Sequence, residues 1–555
     1  MKSFLHKNHR LAFYSLWIIL GLIQSRYTEL LDDEAYYWVY SKFPDWGYFD
    51  HPPMTAVLIK AGYAIFQNEL GVRLFFLLLN VLTLLTIEKL IDRKNPFLFY
   101  AIVLSLAILQ IGGFVAVPDV PLMFFTALFF LCYKIFLQRP SLLNSFFLGI
   151  VTSALLYSKY HAVLVVFFVL ISNPKLFTRY QTYLAGIIAL IFFVPHLVWQ
   201  YRHDWISFRY HLFESNVNPY KFSFTIEYIG GQILLGGPIA GIILLPAAFI
   251  YRTKNALEKA LKFTLMGIYI FFLLSSFRGK VEANWTSPAI VPLIILSYYF
   301  LADRNRWQRW LFQLLPVTMI LVLFARIVMM VDILPLKDLK KRYHGWRAWP
   351  KRMKAKTNGL PVVFENSYQR ASKYWFYSGQ TTYSLNWYRE RRNNYDFWPI
   401  EDSLLGKPVF ILDIHNLDSF PNRMNTAIGV VGYKYDSVWS SFAKIKFIPE
   451  TKEIRAKQNS TFEITLTTEL SEWYYNYLNK HQNLKTRIVA GLFGKVGWVK
   501  DIEVPYDLHD LAQDQRAINL DPQLPKGKYD IIFSIYSEGS ITPTHNSDKI
   551  KLVIE

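Results

Sequence analysis

Residues 142–174 read LLNSFFLGIVTSALLYSKYHAVLVVFFVLISNP, and their one interruption, Ser158-Lys159-Tyr160-His161, decides how the whole chain is threaded. A helix needs about 20 apolar residues to cross the hydrocarbon of a bilayer, within a range of roughly 17 to 25. The stretch is therefore one long tilted span or two short ones, 142–158 and 159–174, joined at the polar tetrapeptide. Nine other apolar runs lie near 8–25, 71–90, 97–115, 119–137, 180–199, 225–250, 260–277, 286–302 and 309–331. Two short spans bring the total to eleven. With the N-terminus inside, every cytoplasmic loop then holds a basic cluster: Lys89/Arg93/Lys94, Lys134/Arg139, Lys175/Arg179, Arg252/Lys254/Lys259/Lys262 and Arg304/Arg306/Arg309. That is the positive-inside tendency. A single span would turn the cluster at 252–262 outward, so the sequence predicts a polytopic α-helical membrane domain of about eleven transmembrane helices.

Hydrophobic residues make up 53% of the chain and the mean hydropathy is +0.19, too apolar for an ordinary soluble protein of 555 residues. The excess lies before residue 331, which predicts a membrane domain over 1–331. Between 332 and 450, apolar runs at 361–364 and 408–412 flank a helical-looking 368–377, the pattern of a small α/β domain. From 451 to 555, the segments 462–467, 487–493, 529–536 and 550–554 read as strands of a β-sandwich. The formal net charge of +19 would in a soluble chain suggest nucleic acid. Here loop lysines and arginines facing anionic headgroups account for it, and no nucleic-acid partner is implied. The single cysteine, Cys132, lies in an apolar run, so no intramolecular disulfide is possible. Lys2, Lys7 and Arg10 precede the apolar 11–23 without a small-residue cleavage site, which predicts a retained signal anchor.

The predicted parity puts 26–70, 112–118, 158–161, 200–224, 278–285 and all residues after 331 on the outer face, and the unusual chemistry gathers there. Asp32-Asp33-Glu34 follow the first span. Mutual repulsion and desolvation would make one of these acids a better proton acceptor; equally, acids favour a helix N-terminus. Asp45-Trp46-Gly47-Tyr48-Phe49-Asp50-His51-Pro52-Pro53 is stiffened by its prolines, which also start the next helix. Pro118-Asp119-Val120-Pro121 places another carboxylate at the mouth of a span, where depth costs about 2.5–3.5 kcal/mol and a partner is expected. Lys159 is the cation in the same plane, for an anionic ligand or for a salt bridge to Asp119. Arg278, Lys280 and Glu282 precede Asn284, offering cations to a phosphate or merely snorkelling at the interface. His196, His203, Asp204 and His211 have no recognisable metal-site spacing.

Taken in order, these residues resemble the polytopic GT-C glycosyltransferases related to protein O-mannosyltransferases, aminoarabinose transferases and rhizobial lipid A galacturonosyltransferases. The match runs from about 28 to 290. Asp33-Glu34-Ala35-Tyr36-Tyr37-Trp38 followed by Gly47–Pro53 is its strongest element, and 118–121, 158–160, 199–205 and 282–285 follow in family order. Residues 368–372 and 394–398 look like the soluble tail of bacterial members.

The resemblance implies a polyprenyl-phosphate-linked sugar donor and an acceptor hydroxyl on a glycan, a lipid such as lipid A, or a protein. It implies Asp33 as base, with Glu34 beside it and Asp119 as a second carboxylate. Lys159, Arg278, Lys280 and His51 would meet the donor phosphate, although His51 stands where some relatives carry lysine. Asp32, Asp50, Tyr48, Glu282 and Asn284 would contact acceptor or sugar. One attack with one base predicts inversion at the anomeric carbon. No cofactor is required, though the acid cluster could hold a divalent metal. The expected location is the bacterial cytoplasmic membrane, with the N-terminus inside and the active site and C-terminal region outside. The rival reading is a transporter or flippase of lipid-linked sugars, but such proteins favour internal repeats and helices broken at midplane, and neither is read here.

Overall fold

A computed structural model describes residues 8–91, 95–215, 219–495, 497–512, 515–537 and 543–555. Lys2, Lys7, Arg93 and Lys94, expected as cytoplasmic-side charges, lie outside the described residues. The chain divides into two compact units, Met1–His344 and Gly345–Glu555.

The first unit is helical. Five helices are long and apolar enough to cross a bilayer: Glu69–Leu90, Asp119–Gln138, Tyr180–Arg202, Ala283–Ala302 and Asn305–Met330. A sixth crossing is possible if Pro96–Ser105 and Ala107–Phe114, bent by 82°, form one span. The protein is a multi-pass membrane protein; of the eleven expected crossings, five or six meet the length and apolarity of a span among the described residues. The other expected stretches are helical but shorter or more polar, among them His9–Tyr27, Leu142–Ser158, Ala162–Ser172, Gly241–Ile250 and Ala256–Ser275. Ile191 is 60% and Ile320 67% exposed, a polarity pattern that fits lipid on those faces. Leu84, Ile102, Phe130, Leu265 and Ile294 form the sealed interior.

Lys159 interrupts the decisive stretch as expected. It takes an extended backbone (φ −165°), so one helix closes at Ser158 and another opens at Ala162. Two other stretches read as continuous are broken. The 97–115 run bends at Leu106, and 225–250 parts between Phe222–Leu235 and Gly241–Ile250. Gly237, at φ +106°, lies between them, and a Cβ there would sit 2.3 Å from the carbonyl oxygen of Ser105. The two breaks therefore touch, and Pro238 prevents the helix from running through. Residues 26–70 hold the helices Asp32–Lys42 and Met54–Ile65, the second beginning directly after the paired prolines.

The second unit opens with a five-stranded sheet, β1 (Val362–Glu365), β2 (Thr382–Leu385), β3 (Val409–Asp413), β4 (Asn422–Thr426) and β5 (Gly429–Asp436), ordered β2-β1-β3-β5-β4. β1 lies parallel to β2 and β3, with helix Tyr368–Ser378 on the first crossover, while β5 is antiparallel to β3 and β4. Residues 446–554 then build a five-stranded sheet with Gly527–Ser537 at its centre and a three-stranded sheet with Phe462–Glu469 at its centre.

Glu401, in helix Ile400–Leu404, ties these parts of the unit together. Its Oε1 accepts the Ala443 N–H at 3.1 Å and the Tyr474 hydroxyl at 3.2 Å. Burial pushes its carboxyl up from 4.5 to about 7. An acid that holds its proton longer folded than unfolded gives stability that is full below the unfolded value and declines as pH rises toward the folded one. Glu401→Gln keeps both accepted bonds, so it should flatten the fall in melting temperature of the purified protein between about pH 5 and 8 and exceed wild type at the alkaline end. An unchanged slope would assign that fall to other groups.

Candidate active site

The site is built on one buried carboxylate. Glu34, in the first turn of helix Asp32–Lys42, turns back so that its Oε2 accepts the Leu31 N–H at 2.9 Å. Arg73 of helix Glu69–Leu90 forks onto it, with Nε 2.7 Å from Oε1 and Nη2 2.5 Å from Oε2, and both side chains are fully buried. Oε1 also accepts the Ala116 N–H at 2.8 Å. Arg73 gives its remaining donors to the carbonyls of Ser25, Thr28 and Glu29 at 3.1, 2.7 and 3.0 Å. Glu34, expected beside Asp33 in the reaction, is thus wholly occupied in holding the chain. Its neighbour Asp33 is exposed and Asp32 partly so, at a helix N-terminus whose dipole favours negative charge.

Ala116 leads directly to the second carboxylate. Asp119 opens helix Asp119–Gln138 and is buried, as is Lys159. Lys159 Nζ donates to Asp119 Oδ1 at 2.8 Å, Ser287 Oγ to the same oxygen at 2.6 Å, and Asn284 Nδ2 to Oδ2 at 2.8 Å. Asn284 and Ser287 lie in the 3-10 helix Ala283–Ala289, where residues three apart share a face.

The 45–51 segment is clamped from the helix Tyr180–Arg202 and the residues after it. Trp199 Nε1 donates to Asp45 Oδ2 at 2.8 Å, His196 Nδ1 meets the Trp46 carbonyl at 2.7 Å, Ser207 Oγ donates to the Tyr48 carbonyl at 3.0 Å, and His211 Nε2 meets that of Asp50 at 2.8 Å. Gly47 lets Trp199 lie this close, since a Cβ there would be 2.4 Å from the indole. Asp50 is buried and accepts the Tyr40 hydroxyl at 3.3 Å. Tyr48, expected to touch sugar, is sealed instead. Its ring stacks on Tyr40 at 4.0 Å and its hydroxyl is spent on the carbonyls of Tyr40 and Phe43.

His51 is held by the clamp, and among the described residues its buried Nδ1 has no hydrogen-bond partner. Burial pushes its imidazole down to about 3, with Lys159 and His211 adding to the fall and Asp50 and Asp119 opposing it. At neutral pH the imidazole held there is uncharged. Arg278, Lys280 and Glu282 are exposed, and Lys280 pairs with Glu282 at 3.3 Å. Among the described residues no three His, Cys, Asp or Glu side chains converge to hold a metal.

Sequence reasoning missed Arg73 and Ser287. Arg73 had a signal, an arginine inside an apolar span, which demands a buried partner. Ser287 had none beyond its three-residue spacing from Asn284.

The family model for dolichyl-phosphate-mannose-protein mannosyltransferase matches residues 50–199, which include Asp50, His51, Asp119 and Lys159. The lipid A galacturonosyltransferase RgtD of Rhizobium johnstonii is 25% identical over 354 residues, 60% of this chain and 73% of that protein. The fold is that of ArnT from Cupriavidus metallidurans. The apo crystal structure matches with a TM-score of 0.58 at 13% identity, over 77% of this chain and 98% of that one. The chain is a glycosyltransferase with the GT-C fold. The same ArnT crystallised with undecaprenyl phosphate matches over the same shares, with a TM-score of 0.55.

In this transferase the Asp119–Lys159 pair carries structural weight that can be measured. Asp119→Ala leaves the Lys159 ammonium buried without a counter-charge, a loss of about 3–5 kcal/mol, whereas Ser287→Ala removes one bond to a charged group, about 1.5–3 kcal/mol. Thermal melting in detergent should rank them in that order, with Asp119→Leu/Lys159→Met recovering most of the loss. An Asp119→Ala protein that melts like wild type would show the pair to be dispensable for the fold.

Proposed function

We propose that the transferase moves a sugar from a polyprenyl-phosphate donor to a hydroxyl of a lipid A-type glycolipid, at the outer face of the bacterial cytoplasmic membrane. RgtD is named for lipid A, and ArnT has been crystallised with undecaprenyl phosphate. The observation that carries the reading is an exposed Asp33 and a buried Asp119, held by three bonds, on chain segments joined by Glu34.

A sugar bonded to phosphate has a good anionic leaving group. The protein then has to remove the acceptor proton, align the attack and stabilise the departing phosphate. Asp33 takes the acceptor proton. The freed oxygen forms the new bond to the anomeric carbon as its bond to the phosphate oxygen breaks, and both electrons of that bond leave with the phosphate. Asp119 and Asn284 orient the sugar. Lys159, Arg278, Lys280 and the neutral N–H of His51 receive the phosphate. The displacement inverts the anomeric carbon and calls on no metal.

The purified protein in lipid, given a panel of polyprenyl-phosphate sugars and lipid A, should release polyprenyl phosphate and yield a product of inverted configuration, with EDTA leaving the rate unchanged. Asp33→Asn, folded, should lose about 10²–10⁴-fold in turnover, the usual worth of a positioned base. Full activity in Asp33→Asn would remove Asp33 as the base. Turnover onto a protein but never onto a glycolipid would move the acceptor to another class.

A further inference from the structure

Every hydrogen-bonding group of the Glu34 and Arg73 side chains is used. The guanidinium has five N–H donors, and five bonds leave it: two to Glu34 and three to the carbonyls of Ser25, Thr28 and Glu29. The carboxylate accepts four, two from Arg73 and one each from the amides of Leu31 and Ala116. Four segments meet there: the end of helix His9–Tyr27 with the residues after it, the first turn of Asp32–Lys42, helix Glu69–Leu90, and the stretch leading to Asp119.

We infer that Arg73 and Glu34 are a positioning pair for the transfer: Glu34, gripped by Arg73, fixes the place of Asp33 relative to Asp119. Asp33 is the neighbour of Glu34 on one segment, and Asp119 lies three residues beyond Ala116 on the other. The Glu34 carboxylate bonds to both segments at once. Neither side chain is accessible to substrate, since both are fully buried. Their contribution is therefore geometric. A displacement of about 1 Å in a reacting group can cost on the order of 100-fold in rate. Lysine cannot replace Arg73, because one ammonium has three donors and no fork. The inference rests on the proposed use of Asp33 and Asp119.

The test is Glu34→Leu/Arg73→Met, which removes both charges and leaves neither buried alone. Where the full-length double variant folds in lipid, with water taking over the five backbone groups, it should keep the donor KM within about threefold while kcat falls on the order of 100-fold. Hydrogen exchange at the Ala116 amide, which loses its acceptor, should accelerate. Arg73→Lys should fall between the double variant and wild type in kcat. A folded double variant with wild-type kcat overturns the inference. If the double variant does not fold, Glu34→Gln decides: a folded protein with reduced kcat, unchanged KM and faster Ala116 exchange supports the pair, and wild-type kcat overturns it. In the wild type itself, an Ala116 amide exchanging as fast as an open loop also overturns it. Asp33→Asn separates the two failures. If that variant is fully active, the base assignment falls whatever the pair does; if it is inactive while the double variant turns over normally, only the positioning role falls.

Discussion

One buried ion pair, Glu34 with Arg73, is the constraint on which one end of the helical unit depends. A buried pair is not in itself a source of stability, because desolvating two charges offsets most of their attraction, and well-packed apolar groups often do as well. What apolar groups cannot do is bond to backbone. Ser25, Thr28 and Glu29 present carbonyls, and Leu31 and Ala116 present amides, where the chain leaves one helix and enters another. At the level of a membrane, unsatisfied backbone groups cost several kcal/mol each. An arginine fork on a carboxylate satisfies all five and holds them in one geometry.

The same logic explains where Lys159 lies. A buried ammonium must have its counter-ion, and Asp119 is 2.8 Å away. The helix ahead of Lys159 stops at Ser158, and the extended backbone of Lys159 separates it from the helix that opens at Ala162. The interruption that divides the longest apolar stretch of the sequence is thus also the second electrostatic anchor of the site. Asn284 and Ser287 complete it from a different helix, so that Asp119 gathers three elements far apart in sequence.

The sequence carried the helical character of residues 8–331 because hydrophobic runs of that length have few alternatives, and it carried the salt bridge of Asp119 to Lys159 because an acid beside an apolar run demands a partner. The breaks were less legible. Leu106 looks like any apolar residue, and its bend shows only when Gly237 brings a second break against Ser105, although the Gly-Gly-Pro at 236–238 was a stop signal in plain view. Tyr48 was misread because a tyrosine in a loop of acids suits a sugar as well as it suits a core. Only the stack on Tyr40 and the bonds to two carbonyls distinguish the cases. Glu34 was misread for a related reason: two adjacent acids look equivalent in a sequence, but neighbouring positions on a helix point about 100° apart, and here one faces Arg73 while the other faces out.

That divergence of adjacent side chains gives the proposed chemistry its division of labour. Carboxylates acquire different roles from different surroundings. Asp119 accepts three bonds from Lys159, Ser287 and Asn284, which leaves little room for an incoming hydroxyl, and it is suited to holding a sugar or a neighbouring donor in place. Asp33 is exposed at the start of a short helix whose first turn is pinned through Glu34, so its backbone is fixed while its side chain lies at the surface. The proposed base has to be accessible and yet cannot wander. Placing it one residue from a fully bonded carboxylate meets both requirements, because the anchor is sealed in the interior and the reacting group is the next side chain along.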